Sequence, residues 1–403
     1  MVDTTLDPPR EGNLRNYAAI AIVLLDGIGF GVVSPLLPFI VLNFGGTPTL
    51  VTQLVGLYAL AGFAGSILSG DLCDRFGRVN LVRGTLAGSV VAYLGMAFAT
   101  SLLGLFFFRG LAGLMTGRDS VVRTMATDGL PPEQHVQKIG TLAAINTIGS
   151  AVGPGLASII GVITQQGADY YRMVFFVATG CTIFTAVLVF LAWRTADPPR
   201  RSAAQVKTQS KRLVALAPLW GALTVSFAGS YSLATVLTIT AIFGHQAFGW
   251  GAVETGWALV GISGSITWGR LVAVPWCAKH WGLKRTLVTS LLLGVPALLA
   301  ASYSFNSVSF AVGVALIGFT ATGTTVLAHG VVSRHAPPTH RGLLMGVAHA
   351  LWAAALFLGA MINGPLLEFV ARGAPYQLAA IVLIAAVPIA LWKLEPKPAA
   401  AGT

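Results

Sequence analysis

Six charged residues lie well inside stretches of this 403-residue chain that are otherwise apolar: Asp26, Arg109, Arg118, Asp119, Arg123 and Arg270. An ionised side chain at the centre of a bilayer costs at least about 2.5 kcal/mol even on lenient insertion scales, so such residues face a cavity and serve an ion, a proton or a substrate. Asp26 sits in the run LDGIGFGVVSPLLP, residues 25–38, inside an apolar stretch that opens at Tyr17. That places it about 14 Å along a helix, near the midplane of a hydrocarbon core about 30 Å thick. A lone carboxylate at that depth is a candidate proton carrier. Arg109 lies about 10 Å into the run that opens at Leu102, too deep to reach either surface easily. It reads as a buried cation for substrate or for the coupling carboxylate, with packing against backbone carbonyls as the structural alternative. Arg118 and Arg123, about 24 and 32 Å along the same run, are long enough to snorkel to the cytoplasmic face. At about 100° per residue Arg118 points away from Arg109, and Asp119 and Arg123, four apart, are spaced to pair on the helix surface. These three and Arg270 read as charges that brace a gate or line a cavity.

The elements that carry these residues are membrane-length helices. Hydrophobic residues make up 55% of the chain and charged ones 10%, with a mean hydropathy of +0.76, whereas a soluble domain carries about 25% charged residues. Twelve apolar runs of about 20 residues each follow one another, the first at 17–39, the fourth at 102–125 and the eighth at 253–278. The fold class is therefore an all-α membrane protein with twelve transmembrane helices. The net charge of +11 is topological: of the 25 Lys and Arg, only Arg172 and Arg372 fall in one set of alternate loops, and four lie within runs. By the positive-inside rule both termini are cytoplasmic, and no nucleic-acid partner is implied. Cys73, Cys181 and Cys277 form no disulfide framework. The N-terminal tail lacks the basic start and cleavage site of a signal peptide, so the first run is retained. A Walker A sequence is missing, which removes ATP as the energy source. No cofactor, metal set or nucleophile pattern supports an enzyme.

The longest cytoplasmic connection, residues 194–212, reads RTADPPRRSAAQVKTQSKR and is a linker. It divides the chain into six runs within 1–193 and six within 213–403. Pro131-Pro132 matches Pro337-Pro338, Gly140 matches Gly346 and Gly153 matches Gly359 at one common offset, and Phe76-Gly77 matches Trp281-Gly282 at one residue less. The matches read as a parallel duplication, hence two pseudo-symmetric six-helix bundles. His329, within the tenth run, reads as a hydrogen-bonded packing residue. Glu368 falls near an outer helix end and reads as interfacial.

Three short motifs complete the reading. GDLCDRFGR, residues 70–78, puts Gly70, Asp74, Arg75, Gly77 and Arg78 in a tight cytoplasmic connection, Gly70 allowing close helix approach and Gly77 the turn. FRGLAG, residues 108–113, surrounds Arg109. GSAVGPG, residues 149–155, spaces Gly149 and Gly153 for helix contact and places Pro154 and Gly155 where a helix can bend. Together they resemble motifs A, B and C of the major facilitator superfamily, and Leu25, Asp26, Gly29, Pro35, Leu37 and Pro38 resemble the first helix of its tetracycline/proton antiporters and related drug exporters. Val79 departs from motif A, where a third basic residue is usual; Ala157 and Ser158 replace the last glycines of motif C. The resemblance implies a proton-coupled secondary transporter in the inner membrane. It would act as a monomer whose partners are the bilayer, protons and a small amphipathic substrate exported by alternating access. Asp26 and Arg109 would couple the proton, motif A would gate and motif C would mark antiport. A carrier of an organic anion, favoured by the excess of intramembrane arginine, and a non-transporting membrane assembly protein remain open alternatives.

Overall fold

The computed structural model describes residues 9–127, 130, 132–165, 169–193, 219–335 and 341–392. The proposed linker at 194–212, Pro131, Pro337 and Pro338 lie outside them. The described residues form helices and no strand: α1 (Pro9–Val33), α2 (Leu37–Asn43), α3 (Pro48–Phe76), α4 (Arg78–Ala97), α5 (Leu102–Met115), α6 (Arg118–Met125), α7 (Pro132–Ile163) and α8 (Tyr170–Ala192). They continue with α9 (Trp220–Phe248), α10 (Ala252–Trp268), α11 (Val274–Trp281), α12 (Leu283–Ser302), α13 (Ser307–His335), α14 (Arg341–Phe369) and α15 (Ala374–Trp392). Among the described residues, eleven stretches are long and apolar enough to cross a membrane.

The expected span outside these eleven, the fourth at 102–125, is present but broken into α5 and α6 at Thr116 and Gly117. There the backbone tightens: the N–H of Thr116 donates to Gly113 O at 3.0 Å and that of Asp119 to Thr116 O at 2.9 Å, three residues back instead of four. Close packing drives the break. A Cβ on Gly117 would stand 2.3 Å from the carbonyl oxygen of Gly65, and one on Gly65 would stand 2.1 Å from that of Leu114. The eighth span carries a different irregularity, a five-residue π-turn at Gly269–Ala273 between α10 and α11, and Arg270 sits in it. Such single-turn insertions shift the facing of every side chain beyond them.

The duplication read in the sequence has a structural counterpart. Gly77 joins α3 to α4 with φ 80° and ψ 155°, and Gly282 joins α11 to α12 with φ 81° and ψ 156°. Only glycine occupies that region without strain. Gly77→Ala and Gly282→Ala should each lower stability by about 1–3 kcal/mol, measured as a loss of thermal unfolding temperature in detergent. Equal stability of both variants would show that the turns relax freely.

The chain forms two compact units, Met1–Ser34 with Ala61–Arg201, and Pro35–Leu60 with Ser202–Thr403. Pro35–Leu60, the end of the first span and the start of the second, therefore groups with the later residues, where the sequence reading has it in the first bundle. Its packing explains this: a Cβ on Gly56 would meet Met361 and Ala360 of α14, and one on Gly364 would meet Thr49 and Thr52 of α3. Glu368, near the outer end of α14, accepts the backbone N–H of Thr49 at 3.0 Å.

Within the second unit α9 is the most enclosed of the described spans. Its buried hydroxyls are satisfied by its own carbonyls one turn back, as in Ser232 to Ala228 and Thr235 to Tyr231. Asn363 of α14 donates to Thr235 at 3.1 Å and accepts from the Tyr231 hydroxyl at 3.1 Å, stitching α14 to α9. His329 of α13 bonds the Ser226 hydroxyl at 3.0 Å, in keeping with its expected packing role.

The first unit is organised around α1 and α7. Gly27 and Gly31 of α1 face Gly149 and Gly153 of α7, each pair four residues apart, so both helices present a glycine every turn. A Cβ on Gly149 would lie 2.4 Å from Leu24 O, and one on Gly153 would lie 2.5 Å from Val32 N. Removing the side chains lets the two backbones touch. Pro154 continues the contact, its Cδ reaching Gly31, while Gly155 on the same helix is half-buried. Gly70 does not behave as expected: it is exposed, and a Cβ there would meet nothing within 4 Å. The close approach on α3 is made instead by Gly65, on a face turned toward the α5–α6 break.

Candidate functional site

The close contact of α1 with α7 fixes the next residue along α1, Asp26, and the α5–α6 break supplies its partner. Arg118, the first residue of α6, donates Nη2 to Asp26 Oδ1 at 2.8 Å and Nε to Asp26 Oδ2 at 3.2 Å. This is a two-point fork of guanidinium on carboxylate, the strongest pairing geometry available to these groups. The remaining Nη1 donates to the Ser89 hydroxyl of α4 at 2.8 Å and to Met115 O at 3.0 Å. In an unbroken helix the Met115 carbonyl would accept the N–H of Asp119. Because that N–H turns to Thr116 instead, the break itself creates the acceptor that orients Arg118. The Ser89 hydroxyl is fixed in turn by Thr85 O at 3.0 Å. The side chains of Arg118 and Asp26 are only 6% and 12% exposed, so the pair is shielded while α1, α4 and α6 are tied together.

Arg118 therefore does not snorkel to a surface, and the helical-wheel expectation that it points away from the others fails. Turns closed three residues back advance about 120° per residue, and a few of them at Thr116 and Gly117 rotate α6 by tens of degrees relative to α5. Arg109, one helix earlier, is buried to 2% exposure. Its guanidinium carbon lies 5.9 Å from the ring centroid of Phe30, one turn beyond Asp26 on α1, within the range of a cation–π contact.

Asp119 and Arg123 take up the other side of Asp26. The surface pairing expected of them is not among the described ion pairs. Instead both line a cavity of about 10 Å³ with Val23, Asp26, Val122 and Asn146, a space that fits one water. Asn146 of α7 donates Nδ2 to Val23 O at 3.1 Å, which closes one wall. Asp119 is exposed where Asp26 is shielded. Arg270 lies in the second unit, half-buried in its π-turn. The motif at residues 70–78 ends α3 with Asp74 and Arg75 exposed, Gly77 in the turn and Arg78 opening α4.

Sequence reasoning missed Ser89, Asn146, Gly27 and Gly31. The glycines carried a signal, since their spacing repeats that of Gly149 and Gly153. Ser89 and Asn146 carried none, because the role of Ser89 depends on a helix break that no local pattern marks and that of Asn146 on the packing of α7 against α1. Among the described residues no group of three or more His, Cys, Asp or Glu is placed to hold a metal ion.

Comparison with known proteins adds four findings. A family model described as Major Facilitator Superfamily matches residues 19–276 and 268–403. The chain is 26% identical over 359 residues to the class B tetracycline resistance protein of Escherichia coli, covering 87% of this chain and 88% of that one. It is 26% identical over 287 residues to the class H tetracycline resistance protein of Pasteurella multocida, covering 68% and 69%. In three dimensions it is similar to a bacterial homolog of the human lysosomal transporter Spinster, solved inward-facing and occupied, with a TM-score of 0.73 at 15% identity over 98% of this chain and 100% of that one.

Proposed function

The chain belongs to the major facilitator superfamily, a family of multi-pass membrane transporters and not of enzymes, and from that membership we propose that it exports a small, partly apolar compound in exchange for protons. The observation that carries the reading is the shielded fork between Asp26 and Arg118, set near the expected membrane midplane. A proton arriving on Asp26 cancels its charge and leaves the Arg118 cation without its counter-charge. The surroundings that suited the pair no longer suit what remains. Protonation and conformation are thereby linked: proton and substrate need not meet at one atom, and each only has to favour a different state of the cycle. Asp26 and Arg118 offset each other, which suits a neutral, zwitterionic or amphipathic cargo better than a multivalent anion.

The glycine contact of α1 with α7, the motif at residues 149–155 and the relatives named for tetracycline resistance support export. In this reading the protein works as a monomer in the inner membrane by alternating access, with 1–193 and 213–403 as its two bundles and both termini and residues 194–212 in the cytoplasm. Arg109 would tune the coupling site and Asp74 the gate.

Cells expressing the chain should accumulate less tetracycline or ethidium, and an uncoupler should abolish the difference. In everted vesicles either compound should discharge an imposed pH gradient. The buried positions of Arg109 and Arg118, with Arg270 inside the eighth span, favour a second reading as an organic-anion carrier. That reading replaces the first if expression raises uptake of a dicarboxylate and Arg109→Ala abolishes it.

A further inference from the structure

Asp26 is the carboxylate that the proton-coupled reading needs, yet one side of it is occupied by Arg118. Each carboxylate oxygen has two lone pairs, and the fork uses one on each, so a proton can reach Asp26 from the side that Arg118 leaves open. That side is the small cavity shared with Asp119, Arg123, Asn146 and Val23. We propose that Asp119 is the relay through which the proton reaches and leaves Asp26, across one water held in this cavity. The inference rests on the reading of Asp26 as the proton carrier.

Three features of the geometry support it. Asp119 is exposed while Asp26 is shielded, so of the two carboxylates Asp119 is the more accessible to a water-borne proton. The cavity holds about one water, enough for one bridge and too little for a bulk-like channel. Its walls also fit a bridging water. Asn146 is oriented by its bond to Val23 O, which leaves its own carbonyl oxygen as an acceptor, and Arg123 contributes N–H donors. In the transfer step protonated Asp119 donates its proton to the water while that water donates one of its own to Asp26. The O–H bond on Asp119 breaks as one forms on the water, and one O–H of the water breaks as one forms on Asp26; the water is regenerated, and one positive charge has moved inward. The charged and titratable groups within electrostatic reach of these two carboxylates, among the described residues, are Arg118 and Arg123 on α6, Tyr93 on α4 and Cys181 on α8. Repulsion between the two neighbouring carboxylates favours a state in which they hold one proton between them, and the two arginines stabilise the negative charge that remains.

Infrared difference spectroscopy of the full chain in lipid, recorded after a step in pH, reads this without any transport substrate. The wild type should show two carboxylic-acid carbonyl bands, one missing in Asp119→Asn and the other missing in the charge-balanced pair Asp26→Asn with Arg118→Gln. In Asp119→Asn the Asp26 band should grow at least about a hundredfold more slowly, the low end of what a positioned acid–base group contributes. Asp119→Glu should restore most of the rate. An Asp26 band that grows in Asp119→Asn at the wild-type rate overturns the relay and leaves the reading of Asp26 standing. If the charge-balanced pair loses no band, Asp26 takes up no proton, and that reading falls together with the relay.

Discussion

Replacing Asp26 with asparagine is expected to end proton-coupled transport and to destabilise the protein at the same stroke. The variant leaves the Arg118 guanidinium, 6% exposed, with its fork facing an amide that cannot balance its charge. Removing one partner of a buried ion pair costs about 3–5 kcal/mol. Arg118→Gln alone should cost a comparable amount for the opposite reason, an orphaned carboxylate. Combined, the two substitutions remove both charges and leave two amides able to hydrogen-bond, and replacement of a whole buried pair is often close to neutral. The double variant should therefore recover most of the unfolding temperature lost by either single variant and none of the coupling. Stability that returns without coupling separates the structural work of the pair from its titration. If instead each single variant is as stable as the wild type, the pair is not shielded in solution, and its linkage to conformation fails.

The second large effect concerns the glycine contact that places Asp26. In Gly153→Leu the first added carbon alone would fall 2.5 Å from Val32 N, 2.6 Å from Gly31 C and 2.7 Å from Gly31 Cα, all backbone atoms with no rotamer to yield. Overpacking of a well-filled core costs about 1–3 kcal/mol even where side chains can move, so the loss here should exceed about 3 kcal/mol and leave little folded protein. Gly70→Ala is the control. Its added methyl meets nothing within 4 Å, and replacing a helical glycine gains about 0.5–1 kcal/mol. Size-exclusion profiles of the two variants after solubilisation should differ plainly, with a monodisperse peak for Gly70→Ala and aggregate for Gly153→Leu. Two equal monodisperse peaks would mean that α1 and α7 separate without cost.

Much of this was legible from residue types. A membrane-length apolar run announces its helix, because a backbone in lipid must satisfy its own hydrogen bonds, and Asp26 stood out because a lone carboxylate there is costly. The turn glycines at 77 and 282 were legible from their flanking residues, and a close helix contact on α7 from the spacing of Gly149 and Gly153, though not α1 as the partner. The partner of Asp26 was not. Projecting Arg109, Arg118 and Arg123 onto one regular helix sent Arg118 the wrong way, since the projection assumes an unbroken helix. The break at Thr116 and Gly117 arises from tertiary packing on Gly65, which local sequence does not report. Gly70 misled for a related reason: a small residue permits a close approach without requiring one, and only the neighbouring helix decides which glycine is used. The division of the second helix between two units has the same origin, in contacts of Gly56 and Thr52 with residues some three hundred positions away.

The most direct test of proton coupling at the Asp26–Arg118 pair is tetracycline flux in proteoliposomes holding the purified chain, with and without an imposed pH gradient. Wild-type protein should drive tetracycline against its concentration gradient only while the pH gradient lasts. The charge-balanced double variant should at most equilibrate it, at a rate indifferent to pH. Gradient-driven accumulation by the double variant at the wild-type level would contradict the account.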